Sequence, residues 1–335
     1  MSLRRIALVT SARSDLGFLD GLMRAISADS QLELTVCATG MHHSIAHGQT
    51  IDEIRALVPI TSLVELPVAS DGDEAVHAGR IISAEVLAFT ELFAKQRPDI
   101  LVVLGDRYDM MPAVITAQPF RIPVAHISGG DITEGVIDDA IRHAVSKLSH
   151  LHFVYHPQHR LRLMRMGEEE WRIILSGNPS MDSMAEVADL GRTEALRRLS
   201  VSEKGPVSLI TYHPETLDSQ AGETGLSNLM SVARAVPGTI VFTAPNADPG
   251  HGAVTAAIQR MVSERPATFF YHSLGRLLYV NAMRYVDCMV GNSSSGLVEA
   301  ASFKLPVVNV GNRQKGRLAP DNVIHVAANG DIGAA

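Results

Sequence analysis

The chain has 335 residues, with 29 Lys+Arg against 36 Asp+Glu and a formal net charge of −7. With 46% apolar and 19% charged residues, it is too apolar for an intrinsically disordered chain, and nothing basic enough stands out for a general polyanion binder. At roughly 100–200 residues per domain, the length fits two domains, each large enough for its own core. No apolar stretch approaches the ~20 residues of a spanning helix. The apolar run from Ile6 to Val9, after Arg4-Arg5, is too short for a signal sequence and reads as a first strand. The expectation is a cytoplasmic protein with no membrane or nucleic-acid partner. Cys37 and Cys288 lie in apolar runs without a CxxC pair, which predicts buried thiols rather than a metal knuckle or redox pair.

In chain order, short apolar β-branched runs alternate with amphipathic segments. The first half offers strands at Arg5–Thr10, Leu32–Ala38, Asp99–Leu104, Pro123–Ile127, His152–Tyr155 and Arg172–Leu175. Each is nearly continuously apolar, as in strands buried on both faces of a parallel sheet. Between them, Leu16–Ala28 puts Leu19, Leu22, Met23 and Ile26 on one helical face, and Ser83–Gln96 does the same with Val86, Leu87, Thr90 and Phe93. A third helix carries Ile137, Ala140, Ile141, Ala144, Val145 and Leu148 at helical spacing. Ala185–Gly205 has helical character and then a polar, Gly-Pro-terminated stretch, which suits a domain junction. The second half repeats the grammar with runs at Pro206–Tyr212, Gly238–Thr243, Ala267–Tyr271, Val286–Val290, Pro306–Val310 and Asn322–Val326. The pattern predicts two doubly wound α/β domains, 1–185 and 186–335.

Ligands of such sheets bind beyond the carboxyl ends of the strands, and the chemically capable residues cluster there. They are Thr10 to Asp15, Gly105-Asp106-Arg107 and Ser128 to Asp131 in the first half. In the second half they are His213-Pro214-Glu215, Pro245-Asn246, Gly291 to Gly296 and Gly311-Asn312-Arg313. This points to a ligand in a cleft between the domains. No G-x-G-x-x-G is present, Gly311 to Gly316 has Walker A spacing but continues with Arg317-Leu318, and no HExxH occurs. Gly291-Asn292-Ser293-Ser294-Ser295-Gly296 follows a strand and precedes a helix start carrying Glu299. It reads either as a phosphate loop whose backbone N–H groups meet an anion or as a serine N-cap with turn glycines. Arg13 and Arg313 follow strands and are suited to an anion. Asp106, behind four apolar residues and Gly105, is a candidate acid/base. Asp138 and Asp139 open a helix and have Arg142 and His143 four residues on, a spacing that favours ion pairs.

Together the blocks Gly105–Asp109, His126–Asp131, Ile137–His143, Tyr212–Thr216 and Gly291–Gly296 resemble the UDP-N-acetylglucosamine 2-epimerases, and among them the hydrolysing branch of sialic- and legionaminic-acid-type sugar synthesis. The resemblance runs from Arg5 to about Val326. It implies a GT-B architecture of two Rossmann-like domains with a nucleotide sugar in an interdomain cleft, no cofactor and no metal, and a homodimer. The implied reaction removes UDP from C1 and the proton from C2, then adds water across the resulting alkene. It converts a UDP-2-acetamido-glucose-type sugar to UDP and the free manno-type sugar, N-acetylmannosamine when the substrate is UDP-N-acetylglucosamine. By position, the resemblance assigns Asp106 to act near C2, Asp138 to be the second acid/base, His213 to lie beside the pyrophosphate and sugar, and Arg107 to offset charge near the leaving group. It assigns Arg13, Ser293, Ser294 and Arg313 to the phosphates and uridine, Asn246 to the cleft, and Glu299 to the ribose hydroxyls.

Two positions depart from the family pattern. Many relatives carry a catalytic Glu where Ser128 stands, so either Asp131 or Glu134 takes that part, or sugar recognition differs, as with the C4- and C6-altered substrate UDP-N,N'-diacetylbacillosamine. Relatives also continue with a further helix, whereas this sequence ends at Asp331 to Ala335, about one helix short. Competing readings are a non-hydrolysing epimerase that returns the nucleotide sugar, a GT-B glycosyltransferase and a nucleotide-sugar binder without turnover.

Overall fold

The structure, a computed structural model, describes residues 3–44, 49–59, 62–68, 72, 74–246 and 248–335, with Arg13 described by its backbone alone. It divides into two compact units, residues 1–131 with 138–185, and residues 132–137 with 186–335.

The first unit is built on β1 (Arg4–Thr10), β2 (Leu32–Ala38), β3 (Leu63–Glu65), β4 (Ile100–Leu104), β5 (Val124–Ile127), β6 (Leu151–Val154) and β7 (Ile173–Leu175). The second is built on β8 (Val207–Thr211), β9 (Thr239–Thr243), β10 (Thr268–Tyr271), β11 (Cys288–Gly291), β12 (Val307–Val310) and β13 (Val323–Val326). Both sheets are wholly parallel, in the orders β3-β2-β1-β4-β5-β6-β7 and β10-β9-β8-β11-β12-β13. Each order reverses once, between β1 and β4 and between β8 and β11, which is the Rossmann signature and marks the crevice where such sheets take ligands. All the strands expected from the sequence are present. The one strand not expected, β3, is a three-residue edge strand, too short to show a pattern.

The helices are α1 (Arg13–Ala28), α2 (Ile51–Leu57), α3 (Ala75–Lys95), α4 (Met111–Ala117), α5 (Asp138–Leu148), α6 (Pro157–Arg165) and α7 (Pro179–Ala185) in the first unit. Those of the second are α8 (Arg192–Arg198), α9 (Ser219–Ala235), α10 (His251–Glu264), α11 (Gly275–Tyr285) and α12 (Ser294–Val298). Side-chain alternation feeds two cores around the first sheet: Ile6, Leu8, Val102 and Leu104 face one layer, and Ala7, Val9, Leu101 and Val103 the other. In the second unit Ile210, Ile240 and Phe242 pack with Leu229, Val254 and Ile258 of the flanking helices. Among the described residues, no helix is long and apolar enough to cross a membrane. Both cysteines are free, and burial pushes the Cys37 thiol up to about 12.

One helix turns a different face inward than the expected one: in α3 the buried residues are Glu85, Phe89 and Phe93, and Leu87 is 64% exposed. In α5 the expected Val145 is buried and Ile141 and Leu148 pack against the same core, but Arg142 and Ser146 are buried beside them and Ala140 is exposed. Both faces carry polar side chains because they pack at the strand ends, where polar partners wait. Residues 132–137 also depart from the expected division at 185. Glu134 N–H donates to the Lys315 carbonyl at 2.9 Å and Ile137 N–H to Thr216 Oγ1 at 3.0 Å. A β-carbon on Gly135 would collide with the Asn312 carbonyl, so only glycine lets this backbone lie so close. The segment packs with the second unit although sequence places it in the first.

Phe89 is fully buried and packs against Phe93 in a tilted pair with ring centroids 5.7 Å apart. Phe89→Ala is expected to cost about 3–5 kcal/mol in urea unfolding; a loss below about 1 kcal/mol would contradict this core assignment.

Candidate active site

In the first unit, β1 ends in Thr10 and Ser11, and α1 follows at once. Ala12 at its N-cap has no side-chain oxygen to offer. Asp15, in the first turn, reaches back instead, and its Oδ2 accepts the N–H groups of Ser11 at 2.8 Å and Ala12 at 2.9 Å. Across the strand-order reversal, Ser11 Oγ donates to Asp109 Oδ1 at 2.9 Å. Arg107 is buried against the same carboxylate, with its NH2 group 3.1 Å from Oδ2. The guanidinium expected near the leaving group is therefore engaged with Asp109.

Glu85 of α3 faces this cluster. It is 0% exposed, its Oε1 accepts from Thr39 Oγ1 at 2.7 Å, and its Oε2 has no hydrogen-bond partner among the described residues. Burial, and then the neighbouring Asp109, raise its pKa well above the usual carboxylate range. Burial likewise raises Asp15, against the lowering pull of Arg107. One guanidinium thus serves a pocket with carboxyls from Asp15, Glu85 and Asp109, and the proton-holding state relieves their repulsion.

Asp106 follows β4. It is an ion pair with Arg142 of α5, whose side chain is 0% exposed while that of Asp106 is 25% exposed. Arg142 NH1 also lies 3.3 Å from Asp139 Oδ1, and His143 Nε2 lies 3.7 Å from Asp139 Oδ2. Asp139 is thus the partner of both Arg142 and His143, with Arg142 reached at i+3. The helix backbone is fixed by a second chain of contacts. The Arg142 carbonyl accepts from Ser146 Oγ at 3.0 Å, Ser146 Oγ lies 3.1 Å from His126 Nδ1, and His126 Nε2 donates to the Gly105 carbonyl at 2.7 Å. Burial lowers the pKa of His126 to about 4, so the ring is neutral. Asp138 begins α5, half-buried, beside Asp139. Ser128 adopts a left-handed backbone at φ 76°, and Asp131 lies 3.4 Å from His159 Nε2.

In the second unit the two strand ends at the reversal are tied reciprocally. His213 N–H donates to Asn292 Oδ1 at 2.7 Å, and Asn292 Nδ2 donates to the His213 carbonyl at 2.9 Å. The His213 ring accepts the Asn246 N–H at Nδ1, 3.1 Å away, which leaves the proton of a neutral ring on Nε2. Arg313 NH1 and Gln314 Nε2 approach the Asn292 carbonyl at 3.4 and 2.8 Å, and Arg313 NH2 lies 3.6 Å from Asp248. The cap that one reading of Gly291–Gly296 expects is present: Ser293 Oγ accepts the Ser295 N–H and Ser294 opens the short α12. Gly291, at φ 137°, is required because a β-carbon would collide with the Thr211 carbonyl. Glu299 lies at the C-terminal cap of α12, half-buried.

His213, Asn246, Ser293, Ser294 and Arg313 come together at the strand ends of the second sheet, and Asp106, Arg107 and Asp138 at those of the first. Glu134 lies in the second unit, exposed and paired with Lys315 at 2.9 Å. The backbone of Arg13 opens α1. Sequence reasoning missed Glu85, although its spacing to Phe89 and Phe93 placed a carboxyl on an apolar stripe. It recognised Arg142 only as a partner within its own helix. Among the described residues, no group of three or more His, Cys, Asp or Glu side chains is arranged to hold a metal ion.

A raised folded pKa means that the native state holds the proton more tightly than the unfolded chain. Glu85 therefore contributes stability that is present at acid pH and lost as pH rises above the ordinary carboxylate range. Glu85→Gln, which mimics the protonated acid, is expected to gain thermal stability relative to wild type as pH rises from about 5 to about 8. A difference in Tm that stays constant across that range would contradict a protonated Glu85.

The sequence model described as UDP-N-acetylglucosamine 2-epimerase matches residues 24–334. The chain is 35% identical to the hydrolysing UDP-N,N'-diacetylbacillosamine 2-epimerase of Legionella pneumophila, over 97% of this chain and 85% of that one. It is 34% identical to the hydrolysing GDP/UDP-N,N'-diacetylbacillosamine 2-epimerase of Campylobacter jejuni, over 97% and 84%. The fold is similar to that of Methanocaldococcus jannaschii UDP-GlcNAc 2-epimerase in complex with UDP-GlcNAc and UDP, with a TM-score of 0.80 at 16% identity, covering 97% of this chain and 89% of that one. Its two Rossmann-like parallel-sheet domains are those of the GT-B class, and the chain belongs to the UDP-N-acetylglucosamine 2-epimerase family.

Proposed function

We propose that the protein is a hydrolysing 2-epimerase of UDP-2-acetamido sugars, with UDP-N,N'-diacetylbacillosamine as its substrate. The observation that carries the reading is the Asp106 carboxylate held by a buried Arg142 at the end of β4, inside the motif set of this family. Two relatives at 35% and 34% identity bear that substrate in their names, and Ser128 stands where many family members carry Glu. The family's own description supports UDP-N-acetylglucosamine as a second reading, with N-acetylmannosamine as its free product.

In this reaction Asp106 and Asp138 handle the proton at C2. Pairing with Arg142 favours the ionised form of Asp106, the form able to take a proton. Loss of that proton and of UDP from C1 leaves a C1–C2 alkene. Water then adds its oxygen at C1, and a proton returns to C2 on the opposite face, giving UDP and the free manno-configured sugar. UDP gains negative charge as it leaves, so Arg13, Arg313 and the N–H groups around Ser293 and Ser294 stabilise the transition state more than the ground state. His213, fixed through both its backbone and its ring, is positioned for the pyrophosphate and sugar. Arg107 supports the site through Asp109, Asn246 orients His213, and Glu299 takes the ribose hydroxyls. We further infer a homodimer acting in the cytoplasm.

Asp106→Asn is expected to cut turnover by at least about 10³-fold while UDP still binds in calorimetry; near-normal turnover would refute the role. UDP-N,N'-diacetylbacillosamine is expected to exceed UDP-N-acetylglucosamine in kcat/KM by about 10²-fold or more. The reverse order would select the second substrate. Formation of UDP-N-acetylmannosamine in place of a free sugar would refute hydrolysis.

A further inference from the structure

Two residues beyond His213, Glu215 is buried, and its side chain turns toward the loop after β12. Its Oε1 accepts the backbone N–H of Asn312 at 2.8 Å, and the N–H of Arg313 also donates to the carboxylate. The space exists because residue 311 is glycine in a left-handed conformation, φ 81°, where a β-carbon would collide with Oε1. Successive backbone N–H groups turned toward one point form an anion-binding concavity. Here the anion is a side chain of the same unit. Glu215 Oε2 is buried without a hydrogen-bond partner among the described residues, so the carboxylate is held through these N–H groups. Burial raises its pKa and the Asn312 and Arg313 N–H groups oppose that rise. The loop so held carries Arg313 and Gln314, which reach the Asn292 carbonyl, and Asn292 is the residue locked to the His213 backbone. A single carboxylate therefore links the ends of β8 and β12 around β11, which lies between them.

We propose that Glu215 is a positioning residue for nucleotide binding: by holding the backbone N–H groups of Asn312 and Arg313, it fixes the Arg313 guanidinium for the diphosphate of a UDP sugar. This rests on the activity proposed above only in the identity of the ligand. Glu215 touches no reacting atom in this account, so its loss acts on affinity and leaves the chemical step alone.

The test uses the full chain, with UDP as the calorimetric probe and steady-state kinetics on the UDP sugar. Glu215→Gln keeps the size of the side chain but removes the charge that strengthens both N–H bonds. It is expected to weaken UDP binding and raise KM by about 5–20-fold, with kcat within about 3-fold of wild type. Gly311→Ala, which drives the carboxylate out of its concavity, is expected to give the same split. A folded Glu215→Gln protein with unchanged UDP affinity overturns the proposal. So does a fall in Tm alone, which would make the residue structural, or a fall in kcat with KM unchanged. UDP affinity is read without turnover, so the two readings fail separately. A wild-type protein that binds UDP but releases no free sugar defeats the proposed activity and leaves the Glu215 test intact. One that binds no UDP overturns both.

Discussion

Where the strand order of a parallel sheet reverses, the connections after the two central strands leave on opposite faces, and the carboxyl ends between them stay open. Backbone in such a crevice loses the cover of neighbouring elements and must be held by its own polar contacts. Both units meet the constraint in the same way, by bonding the residues after one central strand to those after the other. In the first, Ser11 after β1 donates to Asp109 after β4. In the second, His213 after β8 and Asn292 after β11 exchange bonds. The candidate site residues lie beside these ties, which make the crevice rigid enough to aim a side chain.

The overall charge of −7 says little about such a place. What matters is how few positive groups are spread over how many buried carboxyls. In the first unit Arg107 serves Asp109 with Asp15 and Glu85 nearby, and Arg142 serves Asp106 and Asp139 together. Each buried guanidinium pairs with at least one carboxylate, and burial raises the pKa of Glu85. A buried charge is tolerable only when paired and hydrogen-bonded, so these arginines are fixed in place. In the second unit the positive partner is Arg313, near Asp248 and held by its loop, at the strand ends where the proposed diphosphate would lie.

Much of this was legible in the sequence. Continuous β-branched runs such as Leu32–Ala38 gave strands because burial on both faces leaves no alternation to misread, and residues clustered after those runs did lie at the strand ends. The face of α3 was not legible, nor were the polar side chains that α5 buries beside its expected apolar face. A rule that turns apolar residues inward cannot anticipate that Glu85, Arg142 and Ser146 face the interior, because their partners, Thr39, Asp106 and His126, lie far away in sequence. The unit to which Glu134 belongs was not legible for a related reason. Its neighbours in sequence belong to one unit, but Gly135 lets the backbone settle against Asn312 of the other. Gly291–Gly296 looked like an anion loop or a helix cap, and only the bond from Ser295 N–H to Ser293 showed the cap to be present.

In the proposed reaction the sugar leaves UDP by cleavage at C1 and water enters at that carbon. Turnover of UDP-N,N'-diacetylbacillosamine in H2-18O, followed by mass spectrometry of both products, tests it most directly. The expected products are a free 2,4-diacetamido sugar of manno configuration carrying one 18O at C1, together with unlabelled UDP. Label in the UDP, or an epimerised sugar still attached to the nucleotide, would contradict it.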